Sequence, residues 1–573
     1  MEDVQALRRE ILMQANALYE AHRYAQAAEI AGELLAVFPA DAEMRYIRAA
    51  ALTEMGAYEE ARAEIEGIRA VCPDHVGAAR QEIYIDRAEG KIRTQIVHLR
   101  ALIVALEERI AAGKQPAYHA VFLASAYSLL GEALTLTGES AEAVDAFLAS
   151  SRLETIREKK AVEYSNALFA SNYLPARQRA SYAELARGYG ALFADLAPLA
   201  RASDARRGHK TLRIGYISPD LRAHPVGTLV QPLLALHDRT RFSVYCYANC
   251  AEDAASAHLR AHADVWRSIR GLSAEEAAAC VRGDAIDILV DLAGHTEQNV
   301  LPVLARRPAP VQVTGIGYFN TTGLPAIDYM LTDVHVDPIG TTDPSFTEEM
   351  LRLPHSHFCY TLPENLPAVT PPPMERRRYV TFGSFNNFSK VTEEVLHLWR
   401  ALLDAVPHAR LLVKSKLFGS AEGREIAAER FARCGIAAER VEMRGFGPHH
   451  LAEYGDMDIA LDTFPYTGGM TTCEALAMGV PVVTLRGESH GARFGESLLR
   501  NANLPELIAK TPEDYVRLAV RLASSPEQLR TLRMELRPRL ERSPLMDAHT
   551  YVRDVEAAYT EIWEKFVRAA GGI

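Results

Sequence analysis

Cysteine is scarce in this chain. Seven occur in 573 residues (Cys72, Cys246, Cys250, Cys280, Cys359, Cys434 and Cys473), scattered, odd in number and never as CxxC. That pattern excludes a disulfide scaffold and a cysteine zinc site, and it suits reduced thiols in a reducing compartment. No stretch approaches the ~18 uninterrupted apolar residues of a membrane span. The opening MEDVQALRRE has acids at its second and third positions and no apolar run behind it, so neither a signal nor a transit peptide is expected. A cytoplasmic chain without membrane attachment is the expectation. A basic excess is missing too: the net charge of −11 argues against a nucleic-acid partner bound by phosphate neutralisation. No strand is followed by GxGxxG, which disfavours a dinucleotide dehydrogenase. No Asp-x-Asp sits at a strand end, and His449-His450 and His355-Ser356-His357 lack a carboxylate or Cys at ligand spacing, so no metal is expected.

What is present is first a repeat. Residues 1–155 are Ala-rich, and Ala17-Leu18, Tyr24, Ala27 and Pro39 recur as Ala51-Leu52, Tyr58, Ala61 and Pro73, displaced by 34 residues. This period, with small residues where paired helices touch, is the tetratricopeptide signature. Gly138 to Ala143 echoes Gly56 to Ala61 at an offset of 82, so a lengthened or degenerate helical pair is predicted over Gln81 to Gln115. Such arrays expose a concave groove, either a docking surface for a protein or peptide, a homo-oligomer face, or a purely structural stack. Helices continue over residues 156–205, and the basic run Arg201 to Lys210 reads as a linker.

From Leu212 short apolar strands alternate with helices. The strands expected are 212–218, 242–248, 286–294, 310–318 and 328–333, then, beyond the Pro-rich stretch 363–373, 379–385, 409–415, 440–446, 458–464 and 480–485. Two doubly wound parallel units are therefore expected, with a ligand cleft at the carboxyl ends of their strands. Gathered at those ends are Ser218 to Pro225 with His224, Gly294-His295-Thr296 and Gly317 to Gly323 with Thr321 and Thr322. On the second unit they are Ser384 to Lys390 with Asn387, His449-His450, and Asp462 to Gly479. The last reads as strand, Gly-rich turn through Gly469-Met470, helix start near Thr471-Thr472, and strand. A helix start offers an anion free N–H groups and the positive end of the dipole, while Glu474 is placed to accept from a ribose. Beside Lys390, this composes a diphosphate site; taken singly, each residue is equally an ordinary cap, solvated lysine or satisfied histidine. GxSxG at Gly487 to Gly491 suggests a hydrolase elbow, but only His549 follows it, after a long helical region.

The ordered motifs YSNALFASNYLP, LRIGYISPDLRAHPV, RRPAPVQVTGIGYFNTTGLPAIDY, VTFGSFNNFSK and DTFPYTGGMTTCEALAMGVPVVTL resemble the O-GlcNAc transferase and SPINDLY family of tetratricopeptide-repeat protein O-glycosyltransferases. The resemblance implies helical repeats (1–155), connecting helices and linker (156–210), and two Rossmann-like lobes of the GT-B type, an acceptor-side lobe (211–375) and a nucleotide-sugar lobe (376–573). It implies an inverting, metal-independent transferase with no cofactor, moving a sugar from a nucleotide donor to protein Ser or Thr. Lys390 matches the lysine on the donor diphosphate, Gly469, Met470, Thr471 and Thr472 the phosphate-cradling helix start, and Glu474 the acid on the ribose. Asn387 and His450 fall in the nucleotide-base region. His224 matches a histidine proposed as general base, and His295, Thr321 and Thr322 belong to the acceptor-side cleft. Gly469-Met470-Thr471 stands where animal enzymes carry His-Thr-Thr, and Gly447 where they carry a lysine. FGSFNN and GYFNTTGLP sit closer to the SPINDLY branch, whose plant members use GDP-fucose. The donor implied is UDP-GlcNAc, with GDP-fucose or another hexose donor of the same family as the alternatives, and an inactive transferase half serving a binding module is the non-enzymatic alternative.

Overall fold

The computed structural model describes residues 2–114, 116–175, 182–201, 203–204, 210–341 and 343–571. The chain forms two compact units, residues 1–154 together with 420–427, and the remainder.

In the first unit, paired helices run Glu2–Glu20 with Tyr24–Val37, Ala42–Glu54 with Tyr58–Val71, Val76–Glu89 with Ile92–Ala111, and Pro116–Thr137 with Ser140–Leu153. Ala27, Ala49, Ala51, Ala61 and Ala78 are fully buried where helices meet, since only a methyl fits between backbones so close. The turns repeat as well: His22, Gly56 and Gly90 all have left-handed backbones, at φ 58°, 77° and 72°. Glycine adopts that conformation without a Cβ penalty, and His22 stands in its place in the first repeat. The lengthening expected over Gln81 to Gln115 is real, although Gln115 itself lies outside the described residues. Within that span it resides in Ile92–Ala111, of 20 residues; beyond it follows a longer helix still, Pro116–Thr137 of 22. Within the latter, Ala117–Thr137 is long and apolar enough to cross a membrane by composition, with mean hydropathy 1.4, but half of that window is buried against neighbouring helices.

The second unit holds two parallel sheets. The first contains β1 (Leu212–Ser218), β2 (Phe242–Ala248), β3 (Val265–Ser268), β4 (Ile288–Asp291), β5 (Val311–Thr314), β6 (Tyr329–Asp333) and β7 (Glu349–Leu353), in the order β3-β2-β1-β4-β5-β6-β7. The second contains β8 (Thr381–Ser384), β9 (Arg410–Lys414), β10 (Val441–Arg444), β11 (Ile459–Leu461), β12 (Val482–Leu485) and β13 (Ile508–Ala509), in the order β10-β9-β8-β11-β12-β13. Both orders reverse beside their first strand, at β1/β4 and β8/β11, and the loops that leave those strands diverge to open a crevice.

Two assignments differ from expectation. Helices Arg157–Ser171 and Tyr182–Ala191 are not connectors: Leu168, Tyr182 and Tyr189 share one core with Ile217, Leu289 and Leu301 of the first lobe. The final helix, Ala548–Gly571, belongs to the first lobe as well. It buries Tyr551, Val555, Tyr559 and Ile562, each contributing about 2 kcal/mol of gross burial. Glu556 Oε1 accepts from Asp238 N at 2.7 Å and lies 3.0 Å from His237 Nδ1. The linker expected at 201–210 lies mostly outside the described residues.

Candidate active site

β11 ends at Leu461, and the next residue shapes the loop beyond it. Asp462 is buried and accepts from Gly468 N at 2.7 Å, Thr463 N at 2.9 Å and Thr484 Oγ1 at 2.7 Å. These bonds fold 463–468 back on the strand and aim the helix Met470–Ala477 at the crevice, with Gly469 as its N-cap. The helix therefore starts one to two residues earlier than expected. The amides of its first two residues, Met470 and Thr471, have no carbonyl a turn earlier to accept from them, whereas Thr472 N already donates to Gly469 O at 3.1 Å. Gly468 leaves room for two hydroxyls: a Cβ there would lie 2.7 Å from Thr471 Oγ1 and 2.8 Å from Thr472 Oγ1 and would push both aside. At Gly469 the nearest atom would be Phe319 Cζ at 3.6 Å, an ordinary contact.

The loop after the neighbouring strand, β8, meets this turn. Lys390, half-buried at the end of a short 3-10 turn, donates from Nζ to Thr467 O at 3.0 Å and lies 4.3 Å from the Tyr466 ring centroid. Desolvation pushes its ammonium down from the ordinary 10.5 to about 8, opposed by the attraction of Asp462. Burial pushes Asp462 up to about 6, opposed by its hydrogen bonds and by Lys390. Asn386 is the amide that turns inward, accepting from Thr471 Oγ1 at 3.0 Å. Asn387, expected in the nucleotide-base region, is exposed and accepts from Ser389 N at 3.4 Å, capping the 3-10 turn. One residue of register decides which amide faces the crevice.

Glu474, one turn into the helix, accepts from Tyr454 OH at 2.9 Å and lies 2.8 Å from His450 Nε2. The Phe385 ring packs against Tyr454 and His450, so Glu474 and His450 are brought together with the helix start.

The first-lobe candidates divide. His224 is half-exposed and caps the helix Pro225–Leu236, its Nδ1 accepting from Val226 N at 3.3 Å. Burial lowers its pKa, opposed by Asp220, whose carboxyl is in turn raised by burial. His295, Thr321 and Thr322 lie beneath the cleft rather than on it. The His295 ring is 1% exposed, with Nε2 2.8 Å from Thr322 O and Nδ1 2.9 Å from Ser165 Oγ. Burial drives it down to about 4, so it is neutral. Thr321 Oγ1 donates to Glu348 Oε2 at 2.6 Å, and Thr322 N to Glu348 Oε1 at 2.8 Å. This buried clasp holds the loop carrying Phe319, which stacks on Tyr466 with centroids 5.5 Å apart. Sequence position at a strand end located these residues but not their depth. Among the described residues no three His, Cys, Asp or Glu side chains converge as a metal site.

Two Rossmann-wound lobes, with a lysine and a helix start at the second lobe's switch point, define a glycosyltransferase fold of the GT-B type. Residues 193–368 and 376–555 match glycosyl transferase family 41, and residues 18–83 match a tetratricopeptide repeat. The chain belongs to glycosyl transferase family 41, the family of O-GlcNAc transferases and SPINDLY proteins. It is 40% identical over 410 residues to a probable UDP-N-acetylglucosamine–peptide N-acetylglucosaminyltransferase SPINDLY of Solanum lycopersicum, covering 70% of this chain and 44% of the relative. It is 29% identical over 370 residues to the SEC protein of Arabidopsis thaliana, with the same activity in its description, covering 62% and 37%. The chain spans less than half the length of these curated relatives. A mutant O-GlcNAc transferase of Thermobaculum terrenum superposes with a TM-score of 0.76 at 31% identity, covering 99% of each chain.

Proposed function

We propose that the chain transfers a sugar from a nucleoside diphosphate donor to a Ser or Thr hydroxyl of a protein, with inversion and without a metal. Lys390 carries this reading. Charge grows on the departing diphosphate as the glycosidic bond breaks, and an ammonium partly withdrawn from water beside a helix start opposes that charge strongly. An anion bound there raises the lysine pKa again, so the donor fixes its own counter-charge. Glu474 serves the ribose; both of its hydrogen bonds fall on Oε2, which leaves Oε1 for a hydroxyl. The donor on this reading is UDP-GlcNAc, supported by the descriptions of the SPINDLY and SEC relatives. The helical repeats receive the protein acceptor.

His224 is the base in this scheme. Accepting the hydroxyl proton at Nδ1 means releasing the Val226 N–H, and burial favours the neutral ring from which a base must start. His224→Ala then lowers kcat by about 100-fold or more. A loss under about threefold assigns the proton to water or donor phosphate instead.

The deciding experiment presents purified protein and a protein acceptor with UDP-GlcNAc, UDP-glucose and GDP-fucose in parallel, read by intact mass and repeated with a chelator. Addition of GlcNAc that survives chelation is expected. Transfer from GDP-fucose alone overturns the donor, chelator sensitivity overturns metal independence, and no transfer from any donor overturns the activity.

A further inference from the structure

The loop after β12 contains Gly487 to Gly491, the stretch that spells a nucleophile elbow and that the proposed transfer does not use. Its histidine faces the other lobe. His490 is buried, and its Nδ1 lies 2.6 Å from Asp337 Oδ2, four residues beyond the end of β6. Asp337 is fully buried and also accepts from Thr332 Oγ1 at 2.5 Å. Around the ring stand Phe346, Phe494 and His357, and among the described residues Nε2 has no hydrogen-bond partner. Asp337 is thus the polar group that sets the orientation of this imidazole.

The residue following His490 connects to the site. Gly491 O accepts from Thr467 N at 3.1 Å and from Thr467 Oγ1 at 3.0 Å, and Gly495 N donates to the same hydroxyl at 3.2 Å. Thr467 is fully buried, and its carbonyl is the acceptor of the Lys390 ammonium. A Cβ on Gly491 would lie 3.3 Å from Phe319 O, so the turn has little room to shift toward the first lobe.

We propose that Asp337, a carboxylate of the first lobe, is a positioning residue for Lys390, acting through His490, Gly491 and Thr467. The inference rests on reading Lys390 as the diphosphate ligand. Its consequence is that the donor lysine of one lobe is set by the other, so the site is correctly built only when the lobes are in register.

The molecule supplies its own control. Asp333 also bonds across the lobes, accepting from Ser497 Oγ at 2.8 Å, while its 2.6 Å pair with His357 Nδ1 stays within the first lobe; Ser497 lies on the helix Phe494–Asn501 and, among the described residues, makes no hydrogen bond to Thr467. If Asp337 only glues the lobes, Asp337→Asn and Asp333→Asn behave alike.

The test compares both variants in the full chain by melting temperature, by kcat and donor KM, and by the alkaline limb of kcat/KM. Asp337→Asn is expected to lower kcat by about tenfold, with a smaller change in donor KM, and to displace the alkaline limb. Asp333→Asn lowers the melting temperature and leaves the limb in place. In a Lys390→Ala background, Asp337→Asn adds less than about twofold, because two changes on one path are not additive. Equal kinetic effects of the two Asp variants, an unmoved limb, or the full extra loss in the Lys390→Ala background overturns the proposal. Should Asp337→Asn fail to fold, His490→Ala and His490→Gln carry the same test: the first moves the limb and the second, whose amide still donates to Asp337, restores it. Wild-type turnover by Lys390→Ala itself would instead overturn the reading of the lysine.

Discussion

In the first lobe, Asp291 at the end of β4 accepts from Ala293 N at 3.1 Å, Gly294 N at 2.8 Å and Thr314 Oγ1 at 2.7 Å. In the second, Asp462 just past β11 accepts from two amides of its own loop and from Thr484 Oγ1 on β12. The strands correspond, each being the neighbour of its sheet's first strand on the far side of the reversal. A buried carboxylate therefore holds the loop at both switch points. The difference lies in what faces it. Beyond Asp291 sits His295, neutral and hydrogen-bonded on both nitrogens; beyond Asp462 sits Lys390, a cation pressed toward neutrality. One lobe's polar groups are satisfied from within, whereas the other holds a charge whose best partner is an anion from outside.

This contrast can be broken in order of effect. Lys390→Ala should cost about 100- to 1,000-fold in kcat, as for loss of one donor to a developing oxyanion, with the melting temperature nearly unchanged; single-turnover assays and thermal melts check it. His295 gives the opposite result, on stability alone. Its pKa is about 4 when folded against an ordinary 6.5, so the unfolded chain binds a proton that the folded chain refuses in that window. Stability falls as pH drops from about 6.5 to 4, by about 3 kcal/mol from this residue, and the pH dependence of denaturant midpoints should flatten in His295→Asn.

Next come the two carboxylates. Asp291→Asn and Asp462→Asn should each destabilise by about 1–3 kcal/mol, through loss of buried charge-assisted hydrogen bonds. Only Asp462→Asn should also move the alkaline limb of kcat/KM, and move it below about 8, since the carboxylate is what supports the lysine's charge. Identical pH profiles for the pair would erase the contrast. Smallest is Gly468→Ala, which forces Thr471 and Thr472 aside and should weaken nucleotide binding by about 1 kcal/mol, while Gly469→Ala is nearly silent; calorimetric titration with UDP distinguishes them.

Much of this is legible in the sequence. The 34-residue period recurs because each helical pair needs the same small residues and the same left-handed turn, so Ala27 and Ala61 repeat and His22, Gly56 and Gly90 follow. Lys390 and Asp462 to Glu474 were found because the carboxyl ends of parallel strands are where loops diverge. What escaped has physical reasons. β3, β7 and β13 are edge strands, the first largely solvent-facing, the second broken by Glu349 and Arg352 and the third only two residues long, so none shows an apolar run. Burial depth is set by packing from distant segments, which is why His295, Thr321 and Thr322 seemed to face the cleft. Asn386 and Asn387 are chemically identical, and only backbone geometry separates them. Asp291 and Asp462 did leave a signal: an aspartate closing an apolar strand, with a threonine in the following strand.

The helix Ala548–Gly571 has a consequence for how the chain is made. The lobe that begins at β1 stays unfinished until a segment more than 300 residues later arrives to cover it, because Tyr551, Val555, Tyr559 and Ile562 of that helix are buried against it. During synthesis the first sheet emerges well before its own lid, and the second lobe is complete in between. The most extended interval of exposed apolar surface therefore falls on the lobe that leaves the ribosome first, and that is where nascent chains of this protein should call on chaperones.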